Sequence, residues 1–282
     1  MIWHGGWVSK PDSLIQRARQ CLEICDPDQK VAFTHYTTRQ WQDGLLVLKG
    51  EVESDPQAVP VPGRPELPVL VAPRNVSRRK AGTLEGQQAL VHAICHIEFN
   101  AINLALDAIY RFRDMPEAYY ADWLKVADEE AYHFSLLRER LQQLGCDYGD
   151  FDAHNGLWEM ACKTDHDVMV RMALVPRVLE ARGLDVTPGM MQRLRSAGDH
   201  RTVSLLEIIL RDEIGHVAVG SRWFEYCCEQ RGLKSEAVFQ QLLDEYMKGY
   251  IKGPFFEEAR KQAGFTEQEI NMLKRQSSGV NK

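Results

Sequence analysis

The sequence has no Cys-x-x-Cys pair, no run of 18 apolar residues, no excess of positive charge and no convincing strand alternation. Each absence removes a class of protein. The seven cysteines, Cys21, Cys25, Cys95, Cys146, Cys162, Cys227 and Cys228, are odd in number and lack paired spacing. A disulfide framework or thiolate zinc site is therefore not expected. They read instead as small buried hydrophobes in a reducing compartment. Without a long apolar run, no transmembrane helix is expected. Met1-Ile2-Trp3-His4-Gly5-Gly6 lacks the basic start and apolar core of a signal peptide, so the expected location is cytoplasmic. Thirty-four basic residues against 40 acidic ones give a net charge of −6, which excludes a whole-protein basic footprint for nucleic acid. Val69-Leu70-Val71 is the nearest approach to a strand, and it lies between prolines. The expected fold class is all-α.

What is present fits that class. Apolar residues make up 44% and charged residues 26% of 282, enough for a sizeable core and against a mainly disordered chain. Six of the 12 prolines fall between Pro56 and Pro73. Proline lacks an amide donor and restricts the residue before it, so residues 50–80 read as an extended wrap. Before it, Asp12 or Ser13 can cap a helix carrying Leu14, Ala18, Cys21, Leu22 and Cys25, with a second short helix at 34–48. After it, helical periodicity predicts long helices over 83–113, 116–144, 155–182 and 199–231. The third should kink at Pro176 and stop at Gly183, with a short piece at 189–196. The tail should hold a helix over 235–250 and a last one started by the capping box Thr266-Glu267-Gln268-Glu269. The organisation predicted is an N-terminal extension (1–80), a four-helix bundle (81–232) and a helical tail (233–282) packed on it.

Acids occur where these helices should be greasy. Glu98 shares a face with Val91, Ile94, Ile102 and Ala105. Glu130 and His133 lie between Val126 and Leu137. Glu180 follows Met169, Met172, Ala173 and Pro176. Glu213 and His216 follow Leu206 and Ile209. Residues three apart share a helix face, so each Glu-x-x-His points a carboxylate and an imidazole the same way. Burying one unpaired carboxylate costs several kcal/mol, and burying four is untenable without cations among them. Two divalent ions would balance four carboxylates, and oxygen and imidazole donors suit iron or manganese. Glu98 precedes Glu130 by 32 residues and Glu180 precedes Glu213 by 33, so the region reads as two similar helix pairs. Glu129 and Asp212 precede the motif glutamates, where a carboxylate could accept the free N–H of a ligand histidine. The bland alternative is that the acids face solvent or pair with helix arginines such as Arg177 and Arg211.

Glu98, Glu130-Ala131-Tyr132-His133, Glu180 and Glu213-Ile214-Gly215-His216 resemble the ferritin-like di-iron and di-manganese carboxylate superfamily over residues 85–231. Leu174-Val175-Pro176-Arg177-Val178-Leu179-Glu180-Ala181-Arg182-Gly183-Leu184-Asp185 and Asp212-Glu213-Ile214-Gly215-His216-Val217 resemble, more closely, a bacterial ferritin-like family of unknown function. The resemblance implies a ferritin-like four-helix bundle with added terminal helices, and six metal ligands: Glu98, Glu130, His133, Glu180, Glu213 and His216. By analogy Glu130 and Glu213 would bridge two metals, while Glu98 and Glu180 would be terminal. It implies no substrate.

The expected function is a di-metal oxidoreductase or oxygenase, with two iron or manganese ions acting on dioxygen or peroxide and a small-molecule substrate. One alternative is an iron-handling or peroxide-detoxifying protein. Another is a tRNA-hydroxylase-like enzyme, motivated by the basic cluster Arg74, Arg78, Arg79 and Lys80, although a solvated charge run is the blander reading. No membrane partner is expected. The extension and tail should cover one end of the bundle and shape a cavity. His92 and His96 read as ordinary histidines, Glu207 as an ion-pair partner and Tyr132 as core packing. Gly215 and Gly220 serve either a ligand or close helix packing.

Overall fold

The structure, a computed structural model, describes residues 12–50, 55–76, 79 and 82–278. Among them every regular element is helical; the only β features are isolated bridges, Ser13 to Val47 and Leu70 to Ala153. Helix α1 (Leu14–Glu23) starts where the Ser13 hydroxyl accepts the Gln16 N–H at 3.1 Å. It buries Leu14, Ala18, Cys21 and Leu22 as its spacing predicts, while Cys25 lies beyond its end and is exposed. Helix α2 (Pro27–Gln42) begins earlier than the expected 34 because Asp26 caps Gln29 at 2.8 Å and Pro27 occupies the first turn.

Residues 55–76 hold no helix except a 3₁₀ turn at Pro73–Asn75. This strap is tied down by side chains and backbone. Gln57 donates its N–H to the Tyr110 hydroxyl at 2.8 Å, and Trp158 Nε1 donates to the carbonyls of Val59 and Pro60, each at 3.2 Å.

Helices α3 (Leu84–Arg111) and α4 (Glu117–Gln143) follow the predicted bounds closely and pack along each other. Helix α3 is long and apolar enough, by composition, to cross a membrane, but 78% of its most apolar window is buried inside the protein. The helix is a core element.

The expected third helix is divided into α5 (Gly156–Lys163), α6 (Val168–Leu174), a π-helical turn at Val175–Glu180 and α7 (Ala181–Ser196). Pro176 cannot donate to the α ladder, and the wider π turn absorbs the missing bond. The helix does not stop at Gly183; it continues to Ser196 and includes the piece expected at 189–196. Helix α8 (His200–Gln230) starts at Asp199, which accepts the Thr202 N–H at 3.0 Å. Helices α9 (Ser235–Tyr246), α10 (Glu257–Gln262) and α11 (Glu267–Ser278) complete the tail. The capping box forms as written: Thr266 N–H donates to Glu269 at 3.0 Å, and Glu269 N–H to the Thr266 hydroxyl at 3.2 Å.

Two layers result. The α3–α4 pair carries α1 on α3 and α2 on α4. The other layer packs α6, the π turn and α7 along α8, and carries α9 and α10. Contact between α4 and α8 joins the layers. The extension packs on α3 and α4, and the tail on α6, α7 and α8. Each buttresses a different helix pair, because each has its own apolar face to bury.

Candidate metal centre

Three helices converge on one buried cluster. Ligand atoms of Glu98 from α3, Glu130 and His133 from α4, and Glu213 from α8 all lie within 4.8 Å of one another. These four residues could hold a metal ion. His216 joins them: its Nδ1 is 2.9 Å from Glu130 Oε1 and 3.4 Å from Glu213 Oε1. His133 Nδ1 is 3.5 Å from Glu98 Oε2 and 3.6 Å from Glu130 Oε2. Glu130 therefore sits between both imidazoles, whose ring centres are 5.7 Å apart. Glu98, Glu130, His133 and His216 are buried, each at most 3% exposed. Glu180, from the π turn, lies outside the 4.8 Å group and keeps partial exposure, but its charge is felt by Glu213, Glu130 and Glu98.

The donor set fits a cation better than it fits itself. Glu98 Oε2, Glu130 Oε2, His133 Nδ1 and His216 Nδ1 are buried and have no hydrogen-bond partner of good geometry. Buried polar atoms are rarely left so, and these four belong to neighbouring residues of one cluster.

The outer nitrogens are fully engaged. His133 Nε2 donates to Asp212 Oδ2 at 3.1 Å, and His216 Nε2 donates to Glu129 Oε2 at 3.0 Å. The pairing is crossed: each histidine is held by the acid that precedes the other motif. Each acid is then gripped by an exposed cation. Lys125 Nζ meets Glu129 at 2.6 Å, and Arg211 Nε meets Asp212 at 2.9 Å. These outer bonds turn each Nδ1 inward, the arrangement that orients a metal-binding imidazole.

Charge in the cluster is coupled. Burial, then the Glu130 carboxylate, pushes Glu98 up to about 8 despite His133. Burial opposes charge on His133, but the nearby Glu130 and Glu98 carboxylates prevail and lift it to about 11. His216 also rises well above the usual imidazole range: burial opposes this, and Glu130 with Glu129 overcomes it. Burial, Glu213 and Glu130 drive Glu180 well above the carboxylate range. Without a metal, the cluster holds protons where cations would otherwise balance the acids.

The remaining sequence candidates fall away from this centre. The alternative pairing of its acids with Arg177 and Arg211 is not what forms; Arg177 meets Glu269 at 2.8 Å, and Arg211 takes only the outer Asp212. Tyr132 is not a core residue but 46% exposed, since it lies on the outer side of α4. His96 hydrogen-bonds Tyr148 and the His154 carbonyl, and His92 accepts the Gly149 N–H, so both are packing histidines. Glu207 pairs with Arg195, as expected. Gly220 is a packing glycine: a Cβ there would stand 2.4 Å from Pro176. Gly215 faces open space on the exposed side of α8. Of the basic cluster, Arg78 and Lys80 lie outside the described residues, and Arg79 is occupied by Glu85 and the Phe151 ring. All seven cysteines are free, and four of them are buried.

Sequence reasoning missed the π turn, the cations Lys125 and Arg211, and the pair Arg177–Glu269. Pro176 inside a helical pattern was the one signal for the turn. The i, i+4 spacing of Lys125 and Glu129 could have found another.

The chain is similar to an "uncharacterized protein" of Haemophilus influenzae (strain Rd), 45% identical over 268 residues that cover 92% of each chain. No solved structure matches it. A family model described as "protein of unknown function (DUF455)" matches residues 23–271, most of the described helices and every residue of the cluster, and the chain belongs to that family.

Proposed function

We propose that this protein is a ferritin-like di-metal carboxylate oxidoreductase. Glu98, Glu130, His133, Glu180, Glu213 and His216 hold two divalent ions, iron in the first place and manganese in the second. The observation that carries the reading is a cluster whose ligand atoms, from Glu98, Glu130, His133 and Glu213, lie within 4.8 Å of one another, with both imidazoles fixed from outside. Glu130, with one oxygen towards each imidazole, would be shared between the two ions. Helices α3 and α4, the π turn with α7, and α8 form the four-helix bundle, each contributing one acid.

An iron or manganese pair bound here supplies reduction of dioxygen or peroxide, coupled to oxidation of a substrate. The chain supplies the rest. Its buried acids neutralise the ions, Asp212 and Glu129 hold the imidazoles in one tautomer, and the apolar surroundings keep bulk water from the centre. The substrate is a small molecule.

The test is dioxygen uptake by protein loaded anaerobically with ferrous iron. Uptake in proportion to bound iron, abolished in Glu213→Ala, is the expected result. Iron bound with no uptake of dioxygen or peroxide would overturn the oxidoreductase reading and favour iron handling.

A further inference from the structure

The segment Arg177–Asp185 carries four charged side chains, and only Glu180 belongs to the cluster described above. The other three are held by the C-terminal tail. Arg177 is fully buried and meets Glu269 of α11 at 2.8 Å. Its guanidinium lies over the rings of Phe224, Phe239 and Phe265, at 4.8, 4.4 and 4.5 Å from their centres. Arg182 donates to three successive tail carbonyls, those of Lys252, Gly253 and Pro254, at 2.8 to 3.1 Å. Asp185 is buried and takes a two-pronged contact from Arg260 of α10 at 2.9 and 2.7 Å, plus the Phe256 N–H at 2.9 Å. The tail therefore grips this segment before Glu180 and twice after it.

The grip has a defined seat. Gly264, in the turn between α10 and α11, has φ +87°, and a Cβ there would stand 3.0 Å from Ser221 on α8. The same Ser221 hydroxyl accepts Arg177 Nε at 3.1 Å. On the other flank, Gly220 lets α8 close onto Pro176 in the π turn. A π turn is a rare, single-turn irregularity in an α-helix. Here buried ion pairs on both sides fix it. A buried cation stripped of the carboxylate it meets directly cannot stay where it is without cost, so the pair and the backbone that carries it move together.

We propose that the C-terminal tail is a clamp that positions Glu180, and that Glu269 and Arg260 are positioning residues of the metal centre. This rests on the di-metal reading above. Glu180 is the acid outside the tight group, so its place depends most on the segment that bears it. Of the remaining ligands, those on α3 and α4 lie away from the clamp, and α8 meets it at Ser221 and Phe224, beyond Glu213 and His216. Loosening the clamp should therefore affect one metal position and spare the other.

The experiment is titration with Co(II), followed by its visible spectrum and by calorimetry, on the full chain and on Glu269→Gln. Wild type should take up two ions. Glu269→Gln should bind the first ion as wild type does and the second roughly ten- to hundredfold more weakly. Glu269→Asp should restore part of that loss. If Glu269→Gln fails to fold, Thr266→Ala replaces it; this variant removes the cap that aims Glu269 and should shift the second ion in the same direction by less. Two ions bound as in wild type would overturn the clamp. So would both ions weakening together, which marks a general loss of fold. Wild type that takes no Co(II) sinks the di-metal reading itself, and the clamp with it, whereas two ions in wild type with an unaffected variant sinks the clamp alone.

Discussion

The two halves of the centre differ in how they are built. The first half brings Glu98, Glu130 and His133 from two regular helices of 28 and 27 residues. Those helices are backed by α1 and α2, and Glu98 is 3% exposed. The second half brings Glu213 and His216 from an equally regular α8, but Glu180 from a π turn anchored by buried ion pairs to the tail. The same pattern of acid, then Glu-x-x-His, is thus realised once by plain helix packing and once by a braced irregularity. The lesson is that a repeated motif sets side-chain chemistry without fixing how firmly each side chain is held. The first half should be the stable base of the site, and the second its adjustable part.

The largest effect should come from the residue that belongs to both halves. Glu130→Ala removes the carboxylate between the two imidazoles, and metal analysis should find both ions lost. Glu98→Ala and Glu180→Ala then separate the halves. We expect the Glu98 variant to weaken the tighter ion and the Glu180 variant the weaker one, each by about ten- to hundredfold in calorimetry. Equal losses in both variants would dissolve the distinction.

Next comes pH. In the metal-free protein Glu98 rises to about 8 and His133 to about 11, both above their ordinary values. The folded state then binds more protons than the unfolded chain, so stability is greatest at low pH within this range. It falls as pH climbs from the ordinary carboxylate range to about 8 for Glu98, and from the ordinary imidazole range to about 11 for His133. Metal binding must expel those protons, so affinity should rise with pH. Thermal melts of metal-free and loaded protein at pH 6 and pH 9 should diverge; parallel behaviour would contradict the proton-filled cluster.

A smaller effect tests the second half alone. Gly220→Ala places a methyl group 2.4 Å from Pro176, so the π turn must shift. We expect a loss of about 1–3 kcal/mol in denaturant unfolding, as for other overpacked cores. Smallest of all, Glu207→Gln breaks an exposed pair with Arg195 and should change stability by no more than about 1 kcal/mol.

Much of this was legible in the residue order. Ser13, Thr83, Asp199 and Thr266 announced helix starts because a short side-chain oxygen before an apolar period has one obvious use. The cluster was legible because acids on apolar faces have no cheap explanation. Its crossed pairs, His133 with Asp212 and His216 with Glu129, were not, since nothing in one helix says which helix it will face. The short α10 and the early start of α2 escaped because six residues hold little periodicity and Asp26-Pro27 was outweighed by the apolar pattern downstream. The role of Arg177 was hidden for a related reason. Its partner Glu269 is 92 residues away, and the rings around it come from α8, α9 and the turn before α11.

The most direct measurement is metal content by mass spectrometry on protein purified without chelator or added metal, beside Glu130→Ala and Glu213→Ala. The account predicts about two iron or manganese atoms per chain, lost in both variants. Metal-free protein that also refuses ferrous iron under anaerobic conditions would contradict it.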